Sequence, residues 1–292
     1  MFVAPCRRRV KLLARLDPRQ SYGCSVNGIA ELCEKIYIVG DADRIRVFGG
    51  SPSYDRLQDI VVPGMVYPVD IAADLISSRL YIADLTSQCI WKVELKDDIF
   101  DCGMQDSCEN IKICNWVVIE DRPISLSVTK TGQVFVIDQM NNNLTIYIGQ
   151  DETPEVVTLK DYGVKNARHV IQTSQETCFV IHGDSVSLVD RNWKFMKHYG
   201  GPAVPAKLSA ACHMVRVGAN GPLFVIDSDR ILQLSSNLEI KRTFVLHPPP
   251  SEDPVLDGYA LSYSRASGRL IAVLGGKYVY VYRLTESDPD SS

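Results

Sequence analysis

RLYIAD, residues 79–84, is a short apolar run opened by an arginine and closed by an aspartate. It returns as QVFVID at 133–138 and PLFVID at 222–227, and in drifted form as KIYIVG (35–40), CFVIHG (178–183) and RLIAVLG (269–275). The aromatic-type position in these runs is Tyr37, Tyr81, Phe135, Phe179, Phe224 and Ile271, at intervals of 44, 54, 44, 45 and 47 residues. Self-similarity at such a period marks a repeat architecture, in which a unit cannot bury its apolar face alone and stacks on its neighbours.

Each unit has the same internal order. Just upstream lies a second strand-like stretch, as in PVDIAAD (68–74), PISLSVT (123–129), RHVIQTS (168–174), HMVRVGA (213–219) and YALSYSR (259–265). A hairpin turn joins the two, as in KTGQ (130–133), ANGP (219–222) and ASGR (266–269), where glycine supplies a positive φ. Downstream runs a third strand, such as IWKVEL (90–95) or RILQL (230–234). A weaker, more polar fourth follows, such as PEVVTL (154–159) or EIKRTFVL (239–246). No long stretch has helical period. Four antiparallel strands repeated every 45 or so residues make a β-propeller blade.

The fold class is therefore all-β, a six-bladed β-propeller. After YVYVYRL (278–284) only TESDPDSS remains, so the last blade lacks its outer strand, while RVKLLARL (9–16) has no blade of its own. The expectation is that 9–16 pairs antiparallel with 278–284 and closes the ring, presenting Val10, Leu12 and Leu16, or their alternates, to the core. The implied organisation is a tail at 1–8 and one propeller domain at 9–284. Its blades fall at about 28–67, 68–121, 122–166, 167–211, 212–257 and 258–284, and a second tail occupies 285–292.

The pattern P-x-x-I, then G-x-(L/V)-(Y/F)-V-(A/I)-D, then I-x-V-(F/Y), with the Gly pairs of VFGG (47–50) and HYGG (198–201), resembles the NHL repeat. Blades two, three and five fit best. Blades four and six depart, with His182 and Leu274 where the others place Asp. The resemblance covers nearly the whole chain and implies a six-bladed propeller with a habit of binding partners. It implies no reaction. NHL propellers attached to tripartite-motif modules are interaction domains. No RING, B-box or coiled coil is written here, so ligase activity does not carry over.

The net charge of −4 argues against a nucleic-acid surface built on bulk charge, and no apolar run approaches the roughly 20 residues of a membrane span. Cys6, Cys24, Cys33, Cys89, Cys102, Cys108, Cys114, Cys178 and Cys212, an odd set scattered mostly through apolar strands, read as reduced thiols in a cytoplasmic protein. A mitochondrial presequence is the alternative reading of the basic N-terminus. The long 54-residue interval marks an insertion of about ten residues within 96–114, read as an acidic surface flap with Cys102, Cys108 and Cys114 free, a zinc site or a disulfide being the alternatives.

Motifs for a nucleophile elbow, a zincin helix or a phosphate loop are absent, so no catalytic residue is assigned. The candidates lie on the channel face, at the starts of the inner strands and the ends of the second strands. They are Asp70, Asp84, Arg122, Asp138, Arg168, His169, His182, His213 and Asp227. Asp84, Asp138 and Asp227 recur in fixed register, which turn chemistry alone explains. They would also supply oxygen ligands to calcium, as in six-bladed lactonases. Arg122, Arg168, His169 and His213 read equally as a mildly positive binding entrance or as a merely solvated rim. The leading expectation is a monomeric, non-enzymatic scaffold without a cofactor, binding a protein or peptide. The alternatives are a calcium-dependent lactonase or esterase and an RNA-binding propeller.

Overall fold

In a computed structural model of the chain, described for residues 10–17, 25–40, 43–95, 111–148, 153–173, 177–201, 208–218, 221–228, 230–246, 258–264, 267–274 and 278–284, six four-stranded antiparallel sheets are present. The first strand, β1 (Val10–Leu16), belongs to the last sheet. Blade 1 is β2 (Val26–Leu32), β3 (Lys35–Gly40), β4 (Arg44–Phe48) and β5 (Ile60–Val61). Blade 2 is β6 (Pro68–Asp74), β7 (Arg79–Asp84), β8 (Cys89–Leu95) and β9 (Ile111–Val118). Blade 3 is β10 (Pro123–Val128), β11 (Val134–Asp138), β12 (Asn143–Tyr147) and β13 (Glu155–Thr158). Blade 4 is β14 (Ala167–Gln172), β15 (Cys178–His182), β16 (Ser185–Val189) and β17 (Phe195–Gly200). Blade 5 is β18 (Ala211–Arg216), β19 (Leu223–Asp227), β20 (Arg230–Leu234) and β21 (Ile240–Val245). Blade 6 is β22 (Gly258–Ser264), β23 (Arg269–Leu274), β24 (Tyr278–Leu284) and, at its outer edge, β1. No helix among the described residues is long and apolar enough to cross a membrane.

The second strand of each blade is apolar on both faces because another sheet covers each face. In β15, Phe179 and Ile181 pack toward blade 5, while Cys178 and Val180 pack toward blade 3. The same alternation holds all the way round. Tyr37, Tyr81, Phe135, Phe179, Phe224 and Ile271 each fall in a different one of six inter-blade core clusters, every one of them facing the next blade. Outer strands have one solvated face and read as more polar, as β17 and β21 do.

Ring closure takes the expected form. β1 pairs antiparallel with β24, from Val10↔Leu284 to Leu16↔Val279. The inward side, left open by the sequence, mixes the two alternatives: Leu13, Ala14 and Leu16 pack on the core, whereas Leu12 is exposed. A register shift between Leu12 and Ala14 inserts an extra residue and swaps the faces. In the hairpin turns Gly132 and Gly268 have φ of +80° and +65° as expected, but in blade 5 the positive φ falls on Gly218 rather than Gly221.

Residues 111–114 are strand, not flap: β9 pairs with β8 from Leu95↔Ile111 to Cys89↔Val118, which places Cys114 opposite Lys92. Residues 96–110, with Cys102 and Cys108, lie outside the described residues, as do the two tails.

Candidate functional site

Every inner strand carries a bulge near its start. The first paired residue after it is Gly28, Asp70, Ser125, His169, His213 or Ala260, in blades 1 to 6. These six positions form one level around the channel axis, and three of them meet. His169 and His213 have ring centroids 4.0 Å apart, and His213 Nε2 lies 3.7 Å from Asp70 Oδ1. Blades 2 and 5 are opposite one another in a ring of six, so the Asp70–His213 contact spans the channel. The small residues on the other side permit this. A Cβ on Gly28 would sit 2.9 Å from Asp70 Cα, so glycine is required there.

The cluster is interior, which corrects the placement of His169 and His213 at an entrance or a solvated rim. Asp70 and His169 are 3% and 2% exposed. Asp70 Oδ1 accepts the Ile71 N–H at 2.8 Å and Oδ2 accepts the Leu126 N–H of blade 3 at 2.7 Å, which locks the carboxylate between two blades. Neither ring nitrogen of His169 makes a well-formed hydrogen bond, although the Leu126 backbone approaches one of them, and His213 Nδ1 has no partner. Burial, with His213 beside it, holds the His169 pKa well below the usual histidine range, so the ring is neutral at neutral pH. The arginines stand apart. Arg122 and Arg168 are exposed, and Arg168 Nη1 donates to the Ala211 carbonyl at 3.0 Å. His182 is also elsewhere, its Nε2 2.7 Å from Ser187 Oγ within blade 4.

The repeated aspartates hold turns. Asp84 accepts the N–H groups of Val66, Tyr67, Thr86 and Ser87 and the Trp91 indole N–H, tying the incoming connector to the turn after β7. Asp227 does the same with Ser209 and Ala210 and pairs with Arg230 at 2.8 Å. Asp138 accepts the N–H groups of Asn141 and Asn143. Each carboxylate is committed to its own blade, and the three do not converge.

Asp84 and Asp138 titrate in opposite senses. Burial alone would raise Asp84, but the N–H donors of Val66, Ser87 and Tyr67 outweigh it and hold the carboxyl below its usual range. Its stabilisation is present above the unfolded pKa and is lost as pH falls through the lower folded value. Asp138 is raised, first by burial and then by Asp121 beside it. Its contribution is favourable at low pH and is lost as pH rises through the folded pKa. Asp138→Asn keeps the Oδ1 acceptor and adds a donor toward Asp121. It is expected to stabilise the protein at neutral pH by up to about 1 kcal/mol, the scale of one net hydrogen bond. The gain should shrink as the pH falls toward the point where Asp138 itself takes up a proton. Thermal melts at neutral and acid pH test this; a loss of stability at neutral pH would contradict it.

Below the imidazoles the channel widens into a cavity of about 880 Å³, walled by the inner strands of all six blades. His169 and His213 lie at one end. Leu75, Lys130 and Gly218, in or beside the turns that follow the inner strands, lie at the other, so the opening is at the face opposite the one expected. Its wall mixes hydrogen-bonding side chains such as Thr129, Gln172 and Arg216 with apolar ones such as Val215 and Leu261. Sequence reading found the three clustered residues but not Gly28, Ser125 and Ala260. Counting to the third residue of each inner strand would have found them.

A scan of protein-family models and a search of curated proteins gave no match. Among solved structures, the chain is similar to one described as the WD40 β-propeller domain of Doa1. The TM-score is 0.62 and the identity 14%, over 95% of this chain and 98% of that one. At that identity the likeness shows a β-propeller and nothing finer.

Proposed function

We propose that this propeller is a non-enzymatic scaffold that takes an extended protein or peptide segment into its channel mouth, as NHL-like propellers bind partners. The observation that carries this is the cavity of about 880 Å³. It is within the roughly 300–1,000 Å³ of ordinary ligand sites. Its alternation of amide, hydroxyl and apolar side chains matches a backbone with alternating side chains. The fold adds support, since a rigid ring of strands presents turns whose sequences are free to vary. The scaffold is monomeric and cytoplasmic in this reading. The compartment rests on the thiols of Cys33, Cys89, Cys114 and Cys178, which are free among the described residues. Burial pushes the Cys89 thiol up to about 11 and the Cys178 thiol to about 12, as suits inert core thiols rather than nucleophiles.

Selection from a displayed peptide library tests the reading. Ser262→Trp, which fills the cavity from β22, is expected to cut enrichment about tenfold or more, equivalent to about 1.4 kcal/mol. Arg168→Glu, on the opposite face, should leave it unchanged. Binding lost with Arg168→Glu and kept with Ser262→Trp would move the site to the other face and defeat the proposal.

A further inference from the structure

We propose that Asp70, His169 and His213 form a site for a divalent transition cation of the zinc class, held by blades 2, 4 and 5 and open toward the cavity. The inference is independent of the scaffold reading. One ligand atom from each residue lies within 4.8 Å of the others, and one of these pairs is already at 3.7 Å. Ligand atoms around a tetrahedral zinc, at about 2.0–2.1 Å from the ion, sit about 3.4 Å apart. Small side-chain rotations therefore complete the geometry, with no movement of the strands.

Three further features point to a ligand. His169 is almost fully buried, yet neither of its ring nitrogens makes a well-formed hydrogen bond beyond a loose approach of the Leu126 backbone, and His213 Nδ1 is unpartnered. A buried imidazole must carry a proton on one nitrogen and a lone pair on the other, so an arrangement that offers at most the Leu126 backbone leaves the ring incomplete. The Asp70 carboxylate is oriented by two backbone N–H donors from neighbouring strands, as outer-shell partners orient metal ligands. The donor set selects the ion: two imidazoles and one carboxylate suit zinc or its neighbours in the first transition row, not calcium, which takes six to eight oxygens. The fourth position faces the cavity that His169 and His213 line, where water or a donor from a channel occupant completes the shell.

The test uses the whole chain, stripped with chelator and titrated with Zn²⁺ against a competing chromophoric chelator, and separately with Co²⁺. The expected result is one ion per chain and visible Co²⁺ bands of tetrahedral intensity. Asp70→Asn, His169→Ala and His213→Gln should each weaken Zn²⁺ binding by more than the roughly 10–100-fold that loss of an outer-shell partner costs. His198→Ala, at an exposed site on β17, should not alter it. Zn²⁺ should also raise the melting temperature of the parent chain but not of His213→Gln, which keeps the assay informative if that variant is less stable. Absence of binding at millimolar Zn²⁺, or binding unchanged in His213→Gln, would overturn the proposal and leave the three groups to a bridging water.

Discussion

Phe179→Ala is expected to destabilise the propeller by about 3–5 kcal/mol, the range for emptying a packed aromatic site. It should lower the melting temperature by on the order of 10 °C. Phe179 is fully buried between blades 4 and 5 with Ile181, Met214, Leu223 and Val225. Arg216 lies over its ring, 5.5 Å from the centroid. Two sheets meet there, and neither can collapse into the space without breaking its own ladder, so the cavity term is retained. Ile76→Ala is the control. Ile76 is 71% exposed in the turn after β6, and its loss should stay within about 0.5 kcal/mol. Denaturant melts of the two variants decide the matter. Equal losses would mean that the recurring aromatic position is not the packing unit of the repeat.

Removal of residues 1–17 is expected to convert the protein to a species that associates as its concentration rises and unfolds at lower temperature. β1 is the outer strand of blade 6, and without it the whole of β24 becomes an open edge of unpaired N–H and C=O groups. The uncovered edge is apolar: Val279, Tyr280, Val281 and Tyr282 are all buried in the intact ring. Blades 1 and 6 would not fall apart, because β1 is not their only link. Val26, Ile29, Ile36 and Ile38 pack against Ile271 and Val273, and Arg269 donates to Ser51 Oγ at 2.6 Å and to the Tyr54 hydroxyl. The predominant effect is therefore exposure of the edge and of the core beside Leu16. Light scattering against concentration, with a thermal melt, measures it. A truncated chain that melts like the parent and stays monomeric would show that the closing ladder adds nothing.

Much of the architecture is local and for that reason legible in the chain. Strand alternation, an Asp or Gly in a tight turn, and the period between aromatic positions are set by neighbouring residues, so six blades and the unassigned closing strand can be counted. Local rules also failed locally. They left the inward side of residues 9–16 undecided because they do not place a bulge, and they put residues 111–114 in a flap because the partner strand of β8 is chosen by pairing rather than by composition.

The candidate site divides in the same way. Candidates drawn from the repeat register include Asp70, Asp84, His169 and His213 alike, and nothing in their local sequence separates a turn-holding carboxylate from a channel one. The difference lies in which groups approach. Asp84 meets the N–H groups of its own connector and turn, while Asp70 meets Leu126 of the next blade and His213 from across the ring. Inner strands far apart in sequence converge on one axis only after the ring closes. The sequence by itself determined the six blades, the alternation within their strands and the closing strand. Which three of those residues touch, at which end the channel opens, and which carboxylates are held in turns was decided by the tertiary structure, because each depends on distances between blades that no single repeat contains.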